Sequence, residues 1–350
     1  MQTKTIQEGL ATITISSETK ISKQLNVFYN PVMKTNRDLS IAVLNAWSKK
    51  DLHICDLMAA SGTRSIRFFL ELEKNKIKHI TINDYSKKAI KSIKDNLKQN
   101  KLEKNKKITI TCKDADIMLL ESTGFDYIDI DPFGTPVVFL DAACKRLSRD
   151  SILAITATDT SSLAGTYPKT CKRNYDAIPL HTGIMHEIGI RILIRKCQLV
   201  AAQYNKALTP ILSYFKDHYY RVFFECHKGR QKADAIMQQH GTITVKNETI
   251  GPLWKGRLWD TAFVATMHTE QKESQRFLDV LKKEMTIQHL GFYDIHALCK
   301  EEHVQIPRYD RLFAAIEKTG NAVTRTHFSL EGITSTIGEQ ALREIIKSLS

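Results

Sequence analysis

Phe125-Asp126-Tyr127-Ile128-Asp129-Ile130-Asp131-Pro132-Phe133-Gly134 decides how this chain is read. Its first part has the aromatic and β-branched residues of a buried strand, with a turn signal directly behind. Proline donates no ladder hydrogen bond, so Asp-Pro-Phe-Gly ends the strand rather than continuing it. The strand therefore presents a carboxylate, a proline carbonyl and an aromatic ring at the carboxyl edge of a sheet. In open α/β sheets, ligands bind at that edge.

These groups suit chemistry on an exocyclic amine of a nucleobase, whose lone pair is delocalised into the ring. The carboxylate of Asp131 can accept hydrogen bonds from the amine and a neighbouring ring N–H. The Pro132 carbonyl can hold a second amine proton, and the Phe133 ring can stack on the base. The bland alternative is a turn that closes a strand over a buried phenylalanine.

The strand sits in a regular alternation. Leu52–Leu57, Ile77–Asp84, Ile108–Cys112, Phe125–Asp131 and Ser151–Thr156 read as strands. Arg64–Lys74, Ser86 to about Gln99, and Val137–Leu147 read as helices between them. Strand and helix in turn predict a parallel, Rossmann-like α/β sheet with right-handed crossovers. Before it, residues 1–36 show no clear periodicity, apart from an aromatic turn at Phe28-Tyr29-Asn30-Pro31. Asn36-Arg37-Asp38 precedes a helical run from Leu39 to Trp47. Asp38 is a candidate N-cap there, and Arg37 reads equally well as a surface arginine.

The first strand runs into Asp56-Leu57-Met58-Ala59-Ala60-Ser61-Gly62-Thr63-Arg64, with Gly62 placed for close backbone approach to a ligand. A dinucleotide site would want G-x-G-x-x-G to nest a pyrophosphate. One glycine fits a cofactor without pyrophosphate, such as S-adenosylmethionine, with Arg64 pairing its carboxylate. Asp84 ends the second strand and can accept both ribose hydroxyls, or is one of the turn-forming acids that strand ends often carry. After the third strand, Asp114 and the Ala115 N–H can meet an adenine edge, although Asp114 reads equally as a helix N-cap.

The 350 residues and 42% apolar content suit a globular chain of two domains. We expect an S-adenosylmethionine-binding domain over 1–228 and a smaller α+β substrate domain over 229–350. The net charge of +13 is lopsided. Residues 1–228 hold 35 basic and 23 acidic side chains, whereas 229–350 hold 16 and 15. A cationic first domain suits a polyphosphate partner, or is merely a soluble surface. Seven scattered cysteines without a C-x-x-C pair argue against a disulfide framework or a zinc ribbon, and Cys55 and Cys112 read as core. No stretch of 18 apolar residues and no apolar leader is present, so a cytoplasmic protein is expected.

Through these residues and others along its length, the chain resembles the archaeal and eukaryotic tRNA (guanine-N2-)-dimethyltransferase family. The resemblance is carried by Glu8-Gly9, Phe28-Tyr29-Asn30-Pro31-Val32-Met33, Asn36-Arg37-Asp38 and Ala60-Ser61-Gly62-Thr63-Arg64. It continues through Asp131-Pro132-Phe133-Gly134, Gly165-Thr166-Tyr167-Pro168 and His186-Glu187-Ile188-Gly189-Ile190-Arg191. Gly251-Pro252-Leu253-Trp254-Lys255-Gly256 and Thr326-His327-Phe328 complete it. The resemblance implies a class I methyltransferase fold, S-adenosylmethionine as donor and guanine 26 of tRNA as target. It also implies Arg37, Arg64, Asp84, Asp114 and Ala115 on the cofactor, with Asp131 and Phe133 at the base. Many relatives carry paired cysteines before the Gly-Pro-Leu-Trp motif; Gly241–Gly251 has none, so no metal is carried over.

Gly165–Arg173 reads as a loop whose Lys169, Lys172 and Arg173 either reach tRNA phosphates or edge a plain surface loop, with contact favoured because the loop follows the fifth strand. The nine lysines of 86–107 read as a solvated helix face, with direct RNA contact the less favoured alternative. His186 and Glu187 read as packing groups at the start of a helix running to about Tyr204. Trp254 and Trp259 read as buried at a domain seam. Beyond Lys228, helical patterns cover 272–284, 293–302 and 308–319, followed by a strand at Val323–Phe328. No obligatory protein partner is evident. The rivals are an amino-methyltransferase for adenine or cytosine, or for guanine in another RNA or DNA, and a non-catalytic RNA-binding protein.

Overall fold

The computed structural model describes residues 3–16, 29–245, 247–287 and 289–350, so Phe28 lies outside the described residues. The chain opens on a hairpin of β1 (Thr3–Glu8) and β2 (Ala11–Ser16). Helix α1 (Lys34–Ala46) leads into β3 (Leu52–Asp56), α2 (Thr63–Glu71), β4 (Ile77–Asn83), α3 (Lys87–Gln99) and β5 (Ile108–Thr111). Then come α4 (Ala115–Glu121), β6 (Phe125–Ile130), α5 (Leu140–Arg146) and β7 (Leu147–Ala157). Helices α6 (Thr160–Leu163), α7 (Pro168–Tyr175) and α8 (Met185–Ala202) precede a long hairpin, β8 (Lys206–Lys216) and β9 (Tyr219–Lys228).

Strands β3 to β9 form one seven-stranded sheet in the order β5-β4-β3-β6-β7-β9-β8. The first five are parallel, and β9 runs antiparallel to both neighbours. The connections run outward from β3 to β5, return to β6, and proceed the other way. Strand order thus reverses between β3 and β6, which opens a crevice at their carboxyl ends. Buried isoleucines such as Ile54, Ile80, Ile82, Ile128 and Ile152 fill the strands, as a sheet covered on both faces requires.

After β9 come α9 (Arg230–Met237), a hairpin of β10 (His240–Val245) and β11 (Glu248–Trp254), α10 (Thr261–Thr266) and α11 (Lys272–Glu284). Their apolar residues join the two clusters that flank the sheet. The last stretch holds β12 (Tyr293–Asp294), α12 (Ile295–Glu301), α13 (Tyr309–Lys318), β13 (Val323–Arg325), β14 (Gly332–Ser335) and α14 (Glu339–Ser348). It builds a three-stranded sheet, β12-β14-β13, and a core of its own from Ile295, Leu312, Ile316, Ile333, Leu342 and Ile346. Among the described residues, no helix is long and apolar enough to cross a membrane.

Four expectations change. Residues 3–16 are a hairpin, whose β2 edge is held by side chains of α3: Asn96 and Asn100 accept the Thr14 and Thr12 N–H groups at 2.9 Å. Asp38 is no N-cap, because Asn30 and Pro31 start a 3-10 turn that runs into α1 at Lys34. Cys112 lies past the end of β5 and is exposed, unlike Cys55. Residues 168–173 are not loop but the first turns of α7, with Pro168 in the first turn.

Candidate active site

A cleft of about 770 Å³ opens over the carboxyl ends of β3, β4 and β6. Asp56, Leu57, Met58, Ala59, Ala60, Ser61, Thr63 and Arg64 line one wall, from the turn after β3. Asp84, Asp114 and Ala115 line a second, while Asp131, Pro132 and Phe133 line a third. Arg37 closes the cleft from α1. The cleft thus gathers every predicted cofactor and base residue except Gly62.

Asp131 follows β6 directly, and its side chain is 21% exposed. Arg64 Nη2 donates to Asp131 Oδ2, and Oδ1 has no partner among the described residues. Arg64 in turn gives Nη1 to Asn36 Oδ1 and Ser40 Oγ, both at 2.9 Å. A carboxylate gripped through one oxygen leaves the other for a ligand. Phe133 is 45% exposed at the cleft, as a stacking surface requires.

The rest of the turn is held by β7's far end. Thr158 Oγ1 accepts the Gly134 N–H at 2.6 Å, and the Thr158 N–H donates to the Gly134 carbonyl at 3.0 Å. Pro132's carbonyl lies 3.5 Å from the same hydroxyl, so it is not wholly given to the cleft. Replacing Thr158 with Val removes the hydroxyl and strands the Gly134 N–H, at a cost of about 1–3 kcal/mol. Steady-state kinetics should show kcat down about tenfold with folding intact. An unchanged kcat would mean that the turn holds its own shape.

The donor side fits an adenosyl amino acid. Asp84 accepts the Ala60 and Ser86 N–H groups at 3.0 and 2.9 Å, one on each oxygen, leaving a lone pair on each. Burial pushes its carboxyl above the ordinary value, against those two donors. Asp114 does cap α4, with Oδ1 accepting from the Asp116 and Ile117 N–H groups. That leaves the Ala115 N–H, in the first turn, to an outside acceptor. Arg37 is buried rather than on the surface, paired with Glu8 through Nε and Nη2 at 2.6 Å each. Its Nη1 has no partner among the described residues. Asp56, on the floor, is pushed up to about 6 by burial, although Arg64 opposes the rise.

Gly62 plays a different part from the one expected. It does not line the cleft; a Cβ there would stand 3.3 Å from Ile93 of α3. Its φ of +75° lets the chain turn into α2 while α3 packs close behind. Lys169, Lys172 and Arg173 are exposed and also outside the cleft. Lys172 pairs with Asp176 at 2.6 Å, and Arg173 donates to Thr170.

His186 and Glu187 are packing groups, as expected. His186 stacks on Phe215 with ring centres 3.7 Å apart, and burial pushes it down to about 4. Glu187 binds Arg191 and the Gly291 N–H. Residues missed from the sequence include Tyr29, Tyr85, Thr158, His218 and Tyr219, all on the cleft wall. His218 lies in the turn of the β8–β9 hairpin and Tyr219 opens β9, and no local pattern announces which cleft a hairpin tip will meet.

Strand order, switch-point cleft and acid-proline-aromatic turn together define a class I S-adenosylmethionine-dependent methyltransferase. The profile of the N2,N2-dimethylguanosine tRNA methyltransferase family matches residues 9–248 and 243–347. The chain belongs to that family. A tRNA (guanine(26)-N(2)/guanine(27)-N(2))-dimethyltransferase from Aquifex aeolicus is 37% identical over 382 residues, spanning 98% of this chain and 95% of the relative. A tRNA (guanine(26)-N(2))-dimethyltransferase from Methanobrevibacter smithii is 36% identical, spanning 99% and 98%. The structure of Trm1 from Pyrococcus horikoshii in complex with S-adenosyl-L-methionine superposes with a TM-score of 0.88, at 31% identity, over 98% of this chain and 99% of that one.

Proposed function

We propose that this protein methylates the exocyclic N2 of guanine 26 in tRNA, giving N2-methyl- and N2,N2-dimethylguanosine. One observation carries the reading: the singly gripped carboxylate of Asp131 shares a cleft with the tips of β3 and β4. S-adenosylmethionine, when bound, supplies an electrophilic methyl group. Arg37 Nη1 and Arg64 are the cations for its carboxylate, Asp84 the acceptor for its ribose hydroxyls, and Asp114 and Ala115 the groups for its adenine.

The target base leaves its stack, at a cost of a few kcal/mol, to reach this depth. Asp131 Oδ1 then receives the guanine N2–H, and the second lone pair of Oδ2 receives N1–H. This draws electron density onto the amine nitrogen. Phe133 stacks on the ring and fixes the direction in which the nitrogen points. Once N2 has taken a methyl group and given up one proton toward Asp131 Oδ1, one N–H remains to hold the amine, and rotation about the C2–N2 bond would turn the methyl group away and bring that N–H back to the carboxylate.

Three further points belong to the same proposal. Residues 1–228 bind the donor, and 229–350 grip tRNA. The exposed Lys169, Lys172 and Arg173 of α7 meet tRNA phosphates. The enzyme works in the cytoplasm without an obligatory protein partner.

The deciding experiment is mass spectrometry of nucleosides from unmodified tRNA incubated with protein and methyl donor. Both methylated guanosines should appear, and a transcript with adenine at position 26 should lose them. Methyl groups on another base, or none, would overturn the assignment.

A further inference from the structure

Behind the cleft, two buried arginines share one buried carboxylate. Arg221 of β9 has no exposed surface and does not line the cleft. It gives Nη1 to Asp129 Oδ1 at 3.0 Å and Nη2 to Asp129 Oδ2 at 2.6 Å. The Tyr127 hydroxyl donates to the same Oδ2 at 2.6 Å. Arg64 Nη1 stands 3.3 Å from that oxygen. Ser40 Oγ receives both guanidiniums, from Arg64 at 2.9 Å and Arg221 at 3.0 Å. Charges therefore alternate from the sheet interior to the cleft: Arg221, Asp129, Arg64, Asp131.

Asp129 lies in β6 and Asp131 directly after it, and both reach Arg64, so a single guanidinium between them can serve either. Which one it serves depends on what else satisfies Asp129. A fully buried carboxylate without its own cation draws in the nearest one, because charges attract strongly where water is excluded. Here Arg221 fills both oxygens of Asp129, and Arg64 Nη2 is left for Asp131. We propose that Arg221 is a positioning residue for methyl transfer: by neutralising Asp129 it frees the outer amino group of Arg64 to hold Asp131 for the guanine edge. This rests on the reading of Asp131 as the base-binding carboxylate.

Arg221→Met removes the cation while keeping much of the volume. Single-turnover rates, scaled to sites titrated with S-adenosylmethionine, should fall about 100-fold, as for a misplaced catalytic group. KM for tRNA should stay within about threefold, because Arg221 does not line the cleft that receives the base. The double variant Asp129→Asn, Arg221→Met removes the competing anion as well. It should recover at least about tenfold of the lost rate, since Arg64 then has Asp131 as its sole anionic partner.

A rate for Arg221→Met within about threefold of wild type would overturn the proposal, as would a folded double variant no faster than the single. If Arg221→Met does not fold, the double variant alone decides: a rate within about tenfold of wild type supports the proposal, and a slower one overturns it. Asp131→Ala runs alongside. An active Asp131→Ala would sink the reading of the base site itself, whereas an inactive one beside an unaffected Arg221→Met sinks only the role of Arg221.

Discussion

Replacing Asp131 with Asn lowers kcat by about 10³-fold and leaves S-adenosylmethionine affinity within about threefold. The amide keeps the size of the side chain but replaces one acceptor oxygen with a donor. Arg64 Nη2 and the two guanine N–H groups are all donors, so one of them then faces another donor. Either the amide oxygen stays with Arg64 and the base meets an NH₂, or the reverse. In both cases the amine loses the anion that draws density onto its nitrogen. Asp131→Ala has the same consequence through a simple gap. Asp129 remains beside Arg64, so that cation is not stranded and the fold survives. Single-turnover methylation of unmodified tRNA at saturating donor measures the effect. A rate within tenfold of wild type for either variant would remove Asp131 from the chemistry.

Most of the sheet and most of the cleft are legible in the sequence, and the reasons are local. Runs such as Ile77–Asn83 carry β-branched residues bounded by turn formers, and each ends on a polar residue at the carboxyl edge. Asp84, Asp114 and Asp131 can therefore be placed without knowing the strand order. The unread parts fail for different reasons. The β1–β2 hairpin does have a period of two, with Ala11, Ile13 and Ile15 buried between partly exposed threonines and a serine. Threonine weakens that contrast, and the short strands pass for irregular chain. Pro210 argues against a strand, yet it sits in β8 at a register shift, the kind of irregularity at which a sheet accommodates proline. Pro168 marks the start of α7, a signal that the neighbouring Gly165 and Tyr167 obscure. The Arg221–Asp129 pair joins residues 92 apart across β7, and no local pattern records which strands will become neighbours.

The second large effect concerns stability, and it lies in the N-terminal hairpin. Glu8 ends β1 and is 1% exposed. Its Oε1 accepts from Arg37 Nε at 2.6 Å and Arg67 Nη1 at 2.9 Å, and its Oε2 from Arg37 Nη2 and the Tyr29 hydroxyl, both at 2.6 Å. Burial alone would raise its pKa, but the Arg37 guanidinium, with Tyr29 and Arg67, brings it down from 4.5 to about 2. A carboxylate depressed in the folded state contributes stability above its unfolded value and loses it as pH falls through the folded one. The contribution is therefore full above about pH 5, is worth about 3 kcal/mol there, and falls to less than half of that at pH 3. Glu8→Gln removes the charge and leaves two buried arginines short of a partner, at a cost of about 3 kcal/mol at pH 7. Arg67 keeps Asp38 and Glu71, whereas among the described residues Arg37 keeps only the Asn30 carbonyl and the Tyr29 ring. Arg37 and Tyr29 both line the cleft, so the loss of Glu8 also loosens the donor site. Equilibrium S-adenosylmethionine binding should weaken about tenfold in the variant. The stability gap between wild type and variant, taken from urea midpoints, should be widest at pH 7 and close steadily from pH 5 to pH 3. A gap of constant width would mean that the Glu8 charge contributes nothing to holding the hairpin to α1 and α2.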